Sequence, residues 1–555
     1  MPARSEIDDK FKWAVSDLYS SDEAWEKDYN SILELTGQPS ELKGRMGESA
    51  GMLYKALKEY EQVEYITERV YVYAFMKYYE DTGNSKYQEI SGKAQMAAMK
   101  VSEKYAFLEP ELISIDADVL DKYISEDERL GMYKRFIDDC LAGKEHTLSE
   151  KEEALLAKAS QISTVHNEVF SKFNNADVKF GNVKRENGQE DELTNGNFAT
   201  FMESHDRTVR KAAFEALYKQ YGAYINTIAA AFYGNVKQAM FYADARGYKS
   251  TLNMYLDGSF IPENVYKNLI NTVNDNLDRM YCYVDIRKKA LAPMGEEYVS
   301  HIKEGFNNGW VDVYENTGKR SGAFSWGAYG THPYVFLNYS DTLNDVFTVI
   351  HEMGHAMHTY YSNANQPYIY AGYKIFVAEV ASTCNEAILM QYMLKNTDDE
   401  KKKRYLLNHF FEQFKGTLYR QTMFAEFEME AHAKAEHGEV LSAESLCAMY
   451  KKLNEKYFGP DMVIDDEIAL EWARIPHFYT PFYVYQYATG YSAAIAISTK
   501  ILAGDEQVIA GYRKFLSGGS SMHPIELLKL CGIDMTRPDV VQEALDVFGE
   551  LLKQW

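Results

Sequence analysis

His351-Glu352-Met353-Gly354-His355 is the stretch from which most about this chain can be predicted, because it sets two histidines four residues apart. On a helix such residues share one face, with Cβ atoms about 5–6 Å apart, so both imidazoles can bind one cation. Glu352 lies about 100° further round the helix, where its carboxylate can take a proton from a water beside the metal. With 13 His and 82 acidic residues in 555 positions, about 0.05 accidental matches are expected, so chance does not explain the motif.

The residues around this motif predict that it lies on a buried helix. Residues 345–350 and 356–361 are largely apolar and contain no proline, as in a helix that packs inside a protein. Three residues just upstream, 340–342 (Ser, Asp and Thr), offer side-chain oxygens that can cap the helix start. Thr342 and Asp345 also have the spacing of a capping box. The alternative interpretation is that the two histidines are core residues whose ring nitrogens are hydrogen-bonded and bind no metal.

A catalytic zinc ion needs a third protein ligand and keeps its fourth position for water. A third histidine in the close-spaced pattern would require Gly at position 358 and His at position 361, but the chain has His358 and Tyr361. A zinc site with three closely spaced histidines is therefore excluded.

Two glutamates are the only acidic residues between His355 and Asn396, namely Glu379 and Glu386. Both lie in residues 375–387, which are apolar enough to predict a second buried helix, where a carboxylate needs a partner. A zinc ion would satisfy Glu379, although pairing with Arg or Lys stays open. Glu386, seven residues later on the same face, could hydrogen-bond a ligand histidine, or it could have a structural role only.

Five runs of the sequence are distinctive: HEMGHAMH at 351–358, FVAEVAS at 376–382, WAVSDLY at 13–19, RQTMFAEFE at 420–428 and IPHFYTPFYVYQYATG at 475–490. They resemble a known family of zinc peptidases, oligoendopeptidase F in the thimet-oligopeptidase-like group. The resemblance spans nearly the whole chain. It implies a mainly α-helical, two-lobed zincin-type fold with a deep substrate channel and small β elements. It also implies hydrolysis of internal bonds in short peptides.

A dense group of hydrogen-bond donors follows His477. Peptide hydrolysis passes through an anionic tetrahedral intermediate, which Tyr and His side chains can stabilise by donation. In the family that the chain resembles, a histidine and tyrosines of this region bind substrate and stabilise the oxyanion, and the spacing carries these roles to His477, Tyr483 and Tyr487. Tyrosines that simply cap a core are the alternative for most of the five at 479, 483, 485, 487 and 491.

A short strand is predicted just before the histidine motif. Residues 333–339 are β-branched and aromatic, whereas residues 321–330 are rich in small residues that favour turns. A strand at this place could present an open edge to an extended peptide and bind it through backbone hydrogen bonds, which would suit broad specificity. A plain structural strand is the alternative.

The rest of the chain predicts mostly helix. Residues 22–176 mix charged and apolar positions at helical spacing, with turn signals at 37–40 and 81–85. Asn187-Gly188 lies between alternating stretches and predicts a hairpin within 178–193. We expect this hairpin to mark a boundary between an N-terminal helical lobe, 1–195, and a catalytic zinc peptidase region, 196–555. The charged run 398–404 is typical of a solvated helix start.

Composition limits the classes of partner and location. The chain is 46% hydrophobic and 25% charged, and its net charge of −23 disfavours nucleic acid and anionic membranes as partners. Residues 1–12 have no apolar core for export and no apolar run is long enough to span a bilayer, so we expect a cytoplasmic protein. The oligomeric state stays open. Five scattered cysteines suggest neither disulfides nor a cysteine zinc site: Cys140, Cys282, Cys384, Cys447 and Cys531.

The metal-binding pattern predicts a zinc hydrolase, and the family resemblance implies that it is a metallo-endopeptidase acting on oligopeptides. His351, His355 and Glu379 would bind Zn²⁺, and Glu352 would act as the general base. Two alternatives stay open. A metal-dependent carboxypeptidase of similar helical build would share the ligands, whereas a non-enzymatic peptide-binding protein would leave Glu352 without a purpose.

Overall fold

The structure is a computed structural model that describes residues 2–38, 40–148, 152, 155–156, 159, 163–280, 305, 307–320, 322–339 and 342–554. The predicted cap residues Ser340 and Asp341 and the cysteine Cys282 lie outside these residues. Helices account for most of the described chain, which confirms the mainly α-helical class.

The described α-helices follow the apolar periodicity of the sequence, and their bounds agree with the predicted turns. The first twelve are α1 Asp22–Thr36, α2 Ala50–Glu80, α3 Ser85–Tyr105, α4 Leu108–Ser114, α5 Ala117–Glu126, α6 Lys134–Ala142, α7 Val165–Lys172, α8 Phe198–Met202, α9 Arg207–Ala223, α10 Ile225–Ala245, α11 Thr251–Asp257 and α12 Glu263–Asp275. The others are α13 Leu343–Asn365, α14 Tyr368–Ala371, α15 Ile375–Lys395, α16 Glu400–Gln413, α17 Arg420–Glu436, α18 Ala443–Phe458, α19 Tyr485–Leu502, α20 Glu506–Leu516, α21 Pro524–Lys529 and α22 Asp539–Leu552.

Shorter helical turns connect these helices. The 3₁₀ turns are Arg4–Glu6, Asp9–Phe11, Val15–Asp17, Met46–Glu48, Glu128–Tyr133, Gly143–His146, Asp466–Arg474 and Pro476–Tyr479, and the π-helical turns are Phe173–Asp177 and Phe414–Tyr419. The predicted solvated helix start is confirmed, because α16 begins directly after its capping residue Asp399.

The predicted hairpin is also confirmed. Strands β1 Asn182–Lys184 and β2 Glu190–Glu192 pair antiparallel, with Val183 opposite Asp191. Gly188 in the turn has a φ of 85°, a left-handed conformation that glycine adopts without steric penalty.

A second, three-stranded sheet corrects one prediction. Its strands are β3 Val311–Asp312, β4 Phe324–Trp326 and β5 Tyr334–Phe336, in the order β3-β5-β4. The predicted strand before the histidine motif exists as β5. Its predicted open edge is wrong, because β5 pairs parallel with β3 on one side and antiparallel with β4 on the other. Within the described sheet, the outer strand nearest in sequence to the motif is β4, inside the stretch of small residues.

The described residues pack into two compact units, each assembled from three segments of the chain. The first comprises 1–147, 291–396 and 493–534, and the second comprises 148–290, 397–492 and 535–555. The division into lobes 1–195 and 196–555, which was placed at the predicted hairpin, stays a prediction.

Buried charges join the N-terminal segment of the first unit to its sheet. Arg4 donates to Asp312, which is 1% exposed, and Lys319 Nζ lies 2.7 Å from the same carboxylate. The Lys319 ammonium also donates to the backbone carbonyl of Leu337. Arg4, Asp312 and Lys319 are therefore each paired with an opposite charge, and buried ions need such pairing or hydrogen bonding.

Helix α13 carries the histidine motif and begins as predicted. Thr342 Oγ1 accepts the N–H of Asp345, and the Asp345 carboxylate accepts the N–H of Thr342, which completes the capping box. The helix also buries His358 and Ser362 completely. The sequence thus predicted both its start and its burial.

Helices α13 and α15 pack very closely at Gly354. A Cβ atom placed on Gly354 would lie 2.4 Å from the Cα of Ser382 and 2.7 Å from the carbonyl oxygen of Ala381. Such distances are shorter than any stable contact, and the atoms involved belong to backbone that cannot rotate away. Glycine is therefore required here so that the two helix backbones can touch.

Four described cysteines have free thiols, and three of them are buried. Among the residues described, we find no helix whose length and apolar character would let it cross a membrane.

We predict that Gly354→Ala destabilises the protein by about 1–3 kcal/mol, because the added methyl group forces two packed backbones apart. Gly92→Ala is the matched control: Gly92 is exposed in α3, and no heavy atom lies within 4 Å of the place that an added methyl group would take. That change should stabilise by about 0.5–1 kcal/mol, the helix-propensity difference between Ala and Gly. Urea unfolding followed by circular dichroism measures the change in the free energy of unfolding for each variant. The packing argument would be contradicted if both variants were destabilised or both were stabilised.

Candidate active site

Three side chains in the first unit converge from two helices. His351 and His355 lie on α13, and their Nε2 atoms are 3.4 Å and 3.7 Å from Oε2 of Glu379 on α15. One ligand atom from each of the three residues lies within 4.8 Å of the others. The structure therefore brings together the three residues that the sequence predicted as metal ligands.

These distances fit one divalent cation. Three donor atoms at about 2.0–2.1 Å from a tetrahedral ion lie about 3.3–3.4 Å from one another. The two measured separations to Glu379 are within a few tenths of an ångström of that value. Two imidazoles and a carboxylate are also a donor set that leaves a fourth position open, as catalytic sites require.

Polar groups lie beside both histidines. Nδ1 of His351 contacts Oε1 of Glu386, the contact that the sequence suggested, and the backbone carbonyl of Ala378 lies near the ring of His355 and favours its protonated form, which raises its pKa. Ser382 Oγ lies 3.2 Å from Oε2 of Glu379. Partners of this kind fix the ring orientation and tautomer of a ligand histidine. No sequence signal pointed to the Ala378 carbonyl, whereas Ser382 could have been found by its position one helical turn after Glu379.

The charges of the cluster are strongly coupled. Burial opposes a positive charge on His351, but the carboxylates of Glu386 and Glu379 outweigh it and raise the pKa of His351. Burial, followed by the charge of His351, lowers the pKa of His355 to about 4. Burial favours neutral Glu379, but its hydrogen bond with His351 and the charge of His355 lower its pKa to about 2. The carboxylates thus make this a site that attracts positive charge.

Glu352 directly follows His351 in the sequence and is not one of the three residues that could hold a metal ion. Its side chain is buried, and burial raises the pKa of Glu352 to about 7. The backbone N–H of Ser325, in β4, lies near the Glu352 carboxylate and slightly favours its charged form, which opposes the effect of burial on the pKa. Its Oε2 has no hydrogen-bond partner among the residues described. A carboxyl group with a free oxygen and a pKa near neutrality can both accept and return a proton.

His358, one turn beyond His355, serves packing instead of the site. Its ring stacks on Tyr373, with centroids 3.7 Å apart and planes 6° from parallel, and it also contacts Phe515. In the part of the chain that the structure describes, neither ring nitrogen has a hydrogen-bond partner. Burial lowers the pKa of His358 to about 3, so the ring is neutral.

The other predicted site residues form a cluster of their own in the second unit. The rings of His477, Tyr483 and Tyr487 lie 5.5–6.0 Å apart, and Tyr487 Oη is 3.5 Å from His477 Nε2. His477 is exposed, and both tyrosines are partly exposed. These three side chains therefore present polar atoms to solvent together.

Exposure separates these two tyrosines from the others of the same stretch. Tyr479, Tyr485 and Tyr491 are all buried, at 7%, 2% and 3% exposure. Tyr479 stacks on Phe170 with ring centroids 4.6 Å apart. The alternative interpretation, tyrosines that belong to a core, thus applies to these three.

Comparison with known proteins places the whole chain in one family. The model of peptidase family M3 matches residues 200–297 and 284–547, which is more than half of the chain, and the model described as Oligopeptidase F matches residues 111–180. Both matches agree with the resemblance noted in the sequence.

Full-length relatives support the same assignment. The chain is 46% identical to oligopeptidase PepF of Bacillus subtilis, over all of this chain and 88% of the relative. It is 39% identical to an oligoendopeptidase F homolog of Lactococcus lactis, over 99% and 98% of the two chains. The crystal structure of oligoendopeptidase-F from Enterococcus faecium superposes with a TM-score of 0.75 at 33% identity, covering 96% of this chain and 98% of that one. The chain is a member of peptidase family M3.

Proposed function

We propose that this protein is a zinc metallo-endopeptidase that hydrolyses internal bonds of oligopeptides. The observation that carries the proposal is the convergence of His351, His355 and Glu379, with donor atoms within 4.8 Å of one another, on a chain of a peptidase family. The names of its relatives, oligopeptidase and oligoendopeptidase, favour short peptides as substrates and internal cleavage.

His351, His355 and Glu379 would hold the zinc ion, and Glu386 would keep His351 in the tautomer that presents Nε2. A zinc ion in this position lowers the pKa of water and polarises a carbonyl group. Glu352 is the proton carrier in this proposal. It takes a proton from the attacking water and delivers it to the leaving amine, and its pKa near 7 suits both transfers.

His477, Tyr483 and Tyr487 would donate hydrogen bonds to the substrate and to the developing oxyanion. The support for these roles is chemical: the His477 side chain is exposed, the two tyrosine side chains are partly exposed, and each of the three can donate a hydrogen bond. Donors that are already oriented stabilise an oxyanion more strongly than water does.

Strand β4 is the proposed binding edge for the peptide backbone. It is one of the two outer strands of the described sheet, and its Ser325 N–H lies near the carboxylate of Glu352. A peptide added to such an edge is held by main-chain hydrogen bonds that do not depend on its side chains. With that mode of binding, the protein would accept peptides of many different sequences.

The first test uses a pool of peptides that are acetylated at one end and amidated at the other. We expect cleavage at internal bonds, its loss after treatment with a chelator, and its return when zinc is added, all read by mass spectrometry. Peptides with free ends form the control pool. Cleavage confined to free C-termini would instead indicate a metal-dependent carboxypeptidase, and binding without cleavage would indicate a non-enzymatic peptide-binding protein.

A second prediction concerns the general base. Glu352→Gln should lower kcat by about 10²–10⁴-fold, because the amide cannot carry the proton. The zinc content should stay at the wild-type level, because Glu352 is not among the three proposed ligands. Elemental analysis of the purified variant provides that control. Turnover close to wild type in a zinc-loaded variant would exclude Glu352 as the base.

A third prediction concerns Glu386. Glu386→Ala should weaken zinc binding by about 10–100-fold, because His351 loses the partner that orients its ring. Glu386→Gln should have a smaller effect, since its amide oxygen still accepts a hydrogen bond from Nδ1. Competition with a zinc-binding dye measures both affinities. An alanine variant that binds zinc as tightly as wild type would show that Glu386 has a structural role only.

A further inference from the structure

Phe482 adopts a backbone conformation that residues with side chains rarely populate. Its φ is 54°, and Phe260, at 56°, is the one other non-glycine residue of the described chain with a positive φ. In this left-handed region Cβ crowds the following carbonyl oxygen, so a bulky residue stays there only when its surroundings hold it. Phe482 directly precedes Tyr483 and therefore sets the direction in which the tyrosine side chain leaves the backbone.

Glu428, on helix α17, holds the backbone of Phe482. Its Oε1 accepts the N–H of Phe482 at 2.9 Å, across 54 residues of sequence. Glu428 is 1% exposed, and its Oε2 has no hydrogen-bond partner within the described part of the chain. Burial raises the pKa of Glu428 to about 8, against the opposing effect of the Phe482 N–H. At neutral pH the side chain is therefore mostly an uncharged acid that acts as a hydrogen-bond acceptor.

The same helix also holds the ring of Phe482. His432, one turn after Glu428, contacts this ring with centroids 4.6 Å apart, and Tyr266 contacts it at 5.8 Å. His432 is itself fixed, because its Nδ1 lies 2.9 Å from Oγ1 of Thr251. One face of α17 thus fixes both the backbone and the side chain of Phe482.

A second buried glutamate of the same helix shows what a purely structural role looks like. Glu426 contacts the ammonium of Lys456 at 2.6 Å, the hydroxyl of Tyr457 at 2.7 Å and the amide of Asn274 at 3.1 Å. Its charge is thereby neutralised and its oxygens are satisfied. Glu428 has no such cation among the described residues, and its one hydrogen bond goes to the strained backbone.

From these contacts we infer that Glu428 is a positioning residue, which keeps Phe482 left-handed and thereby directs the hydroxyl of Tyr483 toward the substrate. This inference rests on the proposed role of Tyr483 in the reaction. The rings of Tyr483 and His477 are 6.0 Å apart and 14° from parallel. A return of Phe482 to an ordinary negative φ rotates the chain by about 100° or more and disrupts that arrangement. Glu428 itself acts only through Phe482.

A double-mutant cycle tests the inference. Glu428→Met keeps the bulk of the side chain and removes the acceptor. In the wild-type background it should lower kcat by about tenfold or more with little change in KM. The reason is that a misplaced Tyr483 hydroxyl loses a hydrogen bond that forms mainly in the transition state. In a Tyr483→Phe background, which lacks the hydroxyl, the same change should lower kcat by less than about threefold. Glu428→Gln keeps an acceptor oxygen and should retain most of the activity.

Glu426→Met is the matched control, since it disrupts a buried glutamate of the same helix that does not contact Phe482. Its effect on kcat should be the same in both backgrounds, and zinc content and unfolding temperature should be measured for every variant. If Glu428→Met does not yield folded protein, Glu428→Asp can replace it in the cycle. Its side chain is one methylene shorter, which moves the acceptor oxygen away from the Phe482 N–H. If the Glu428 variant lowers kcat by the same factor in both backgrounds, the positioning role is overturned and the proposed function stands. Full activity of Tyr483→Phe by itself would reject the proposed oxyanion role, and the inference with it.

Discussion

The candidate metal site depends on the contact between two helix backbones at Gly354. Helices carrying ordinary side chains pack with their axes about 8–10 Å apart, and a Cβ at this position would overlap the backbone of Ser382. Without that side chain, α15 lies close enough to place Oε2 of Glu379 within 3.4–3.7 Å of both imidazoles. The proposed metal ligands thus depend on a residue that is not itself a proposed ligand. The same glycine lies between Glu352, the proposed general base, and His355, so one pentapeptide contains two proposed ligands, the proposed base and a packing surface.

Sequence predicted the part of the site in which spacing along one helix determines geometry. Residues four apart share a helix face, so the pairing of His351 with His355 followed from the helical period alone. Glu379 followed because a carboxylate in an apolar helix needs a partner. The order of the three-stranded sheet was not predictable, because β5 pairs with β3, more than 20 residues earlier, as well as with its neighbour β4. The roles of Glu428 and Phe482 were equally hidden, since a hydrogen bond across 54 residues leaves no local pattern.

Two buried glutamates of this protein share an unusual environment and are put to different uses. Glu428 accepts a backbone N–H and Glu352 lies near one. Each retains an oxygen that has no partner among the described residues, and burial raises the pKa of both. An isolated buried carboxyl group is unfavourable for stability, so it is retained where it performs a task that a paired one cannot. For Glu352 the proposed task is to exchange a proton. For Glu428 it is to accept one hydrogen bond without introducing a charge into the core.

The discontinuous first unit has a consequence for how the molecule is made. Arg4 finds its buried partner Asp312 only across 308 residues of sequence, and the unit is completed by residues beyond 493. During synthesis on the ribosome, aromatic residues of α2 emerge well before the strand that covers them, since Tyr71 contacts Trp326 and Tyr79 contacts Phe324, both in β4. Nascent chains of this kind expose apolar surface for many seconds, at the usual elongation rates of about 5–20 residues per second. Trapping of early intermediates, by chaperones or by aggregation, is therefore expected to control the yield of this protein more than the stability of its finished core does.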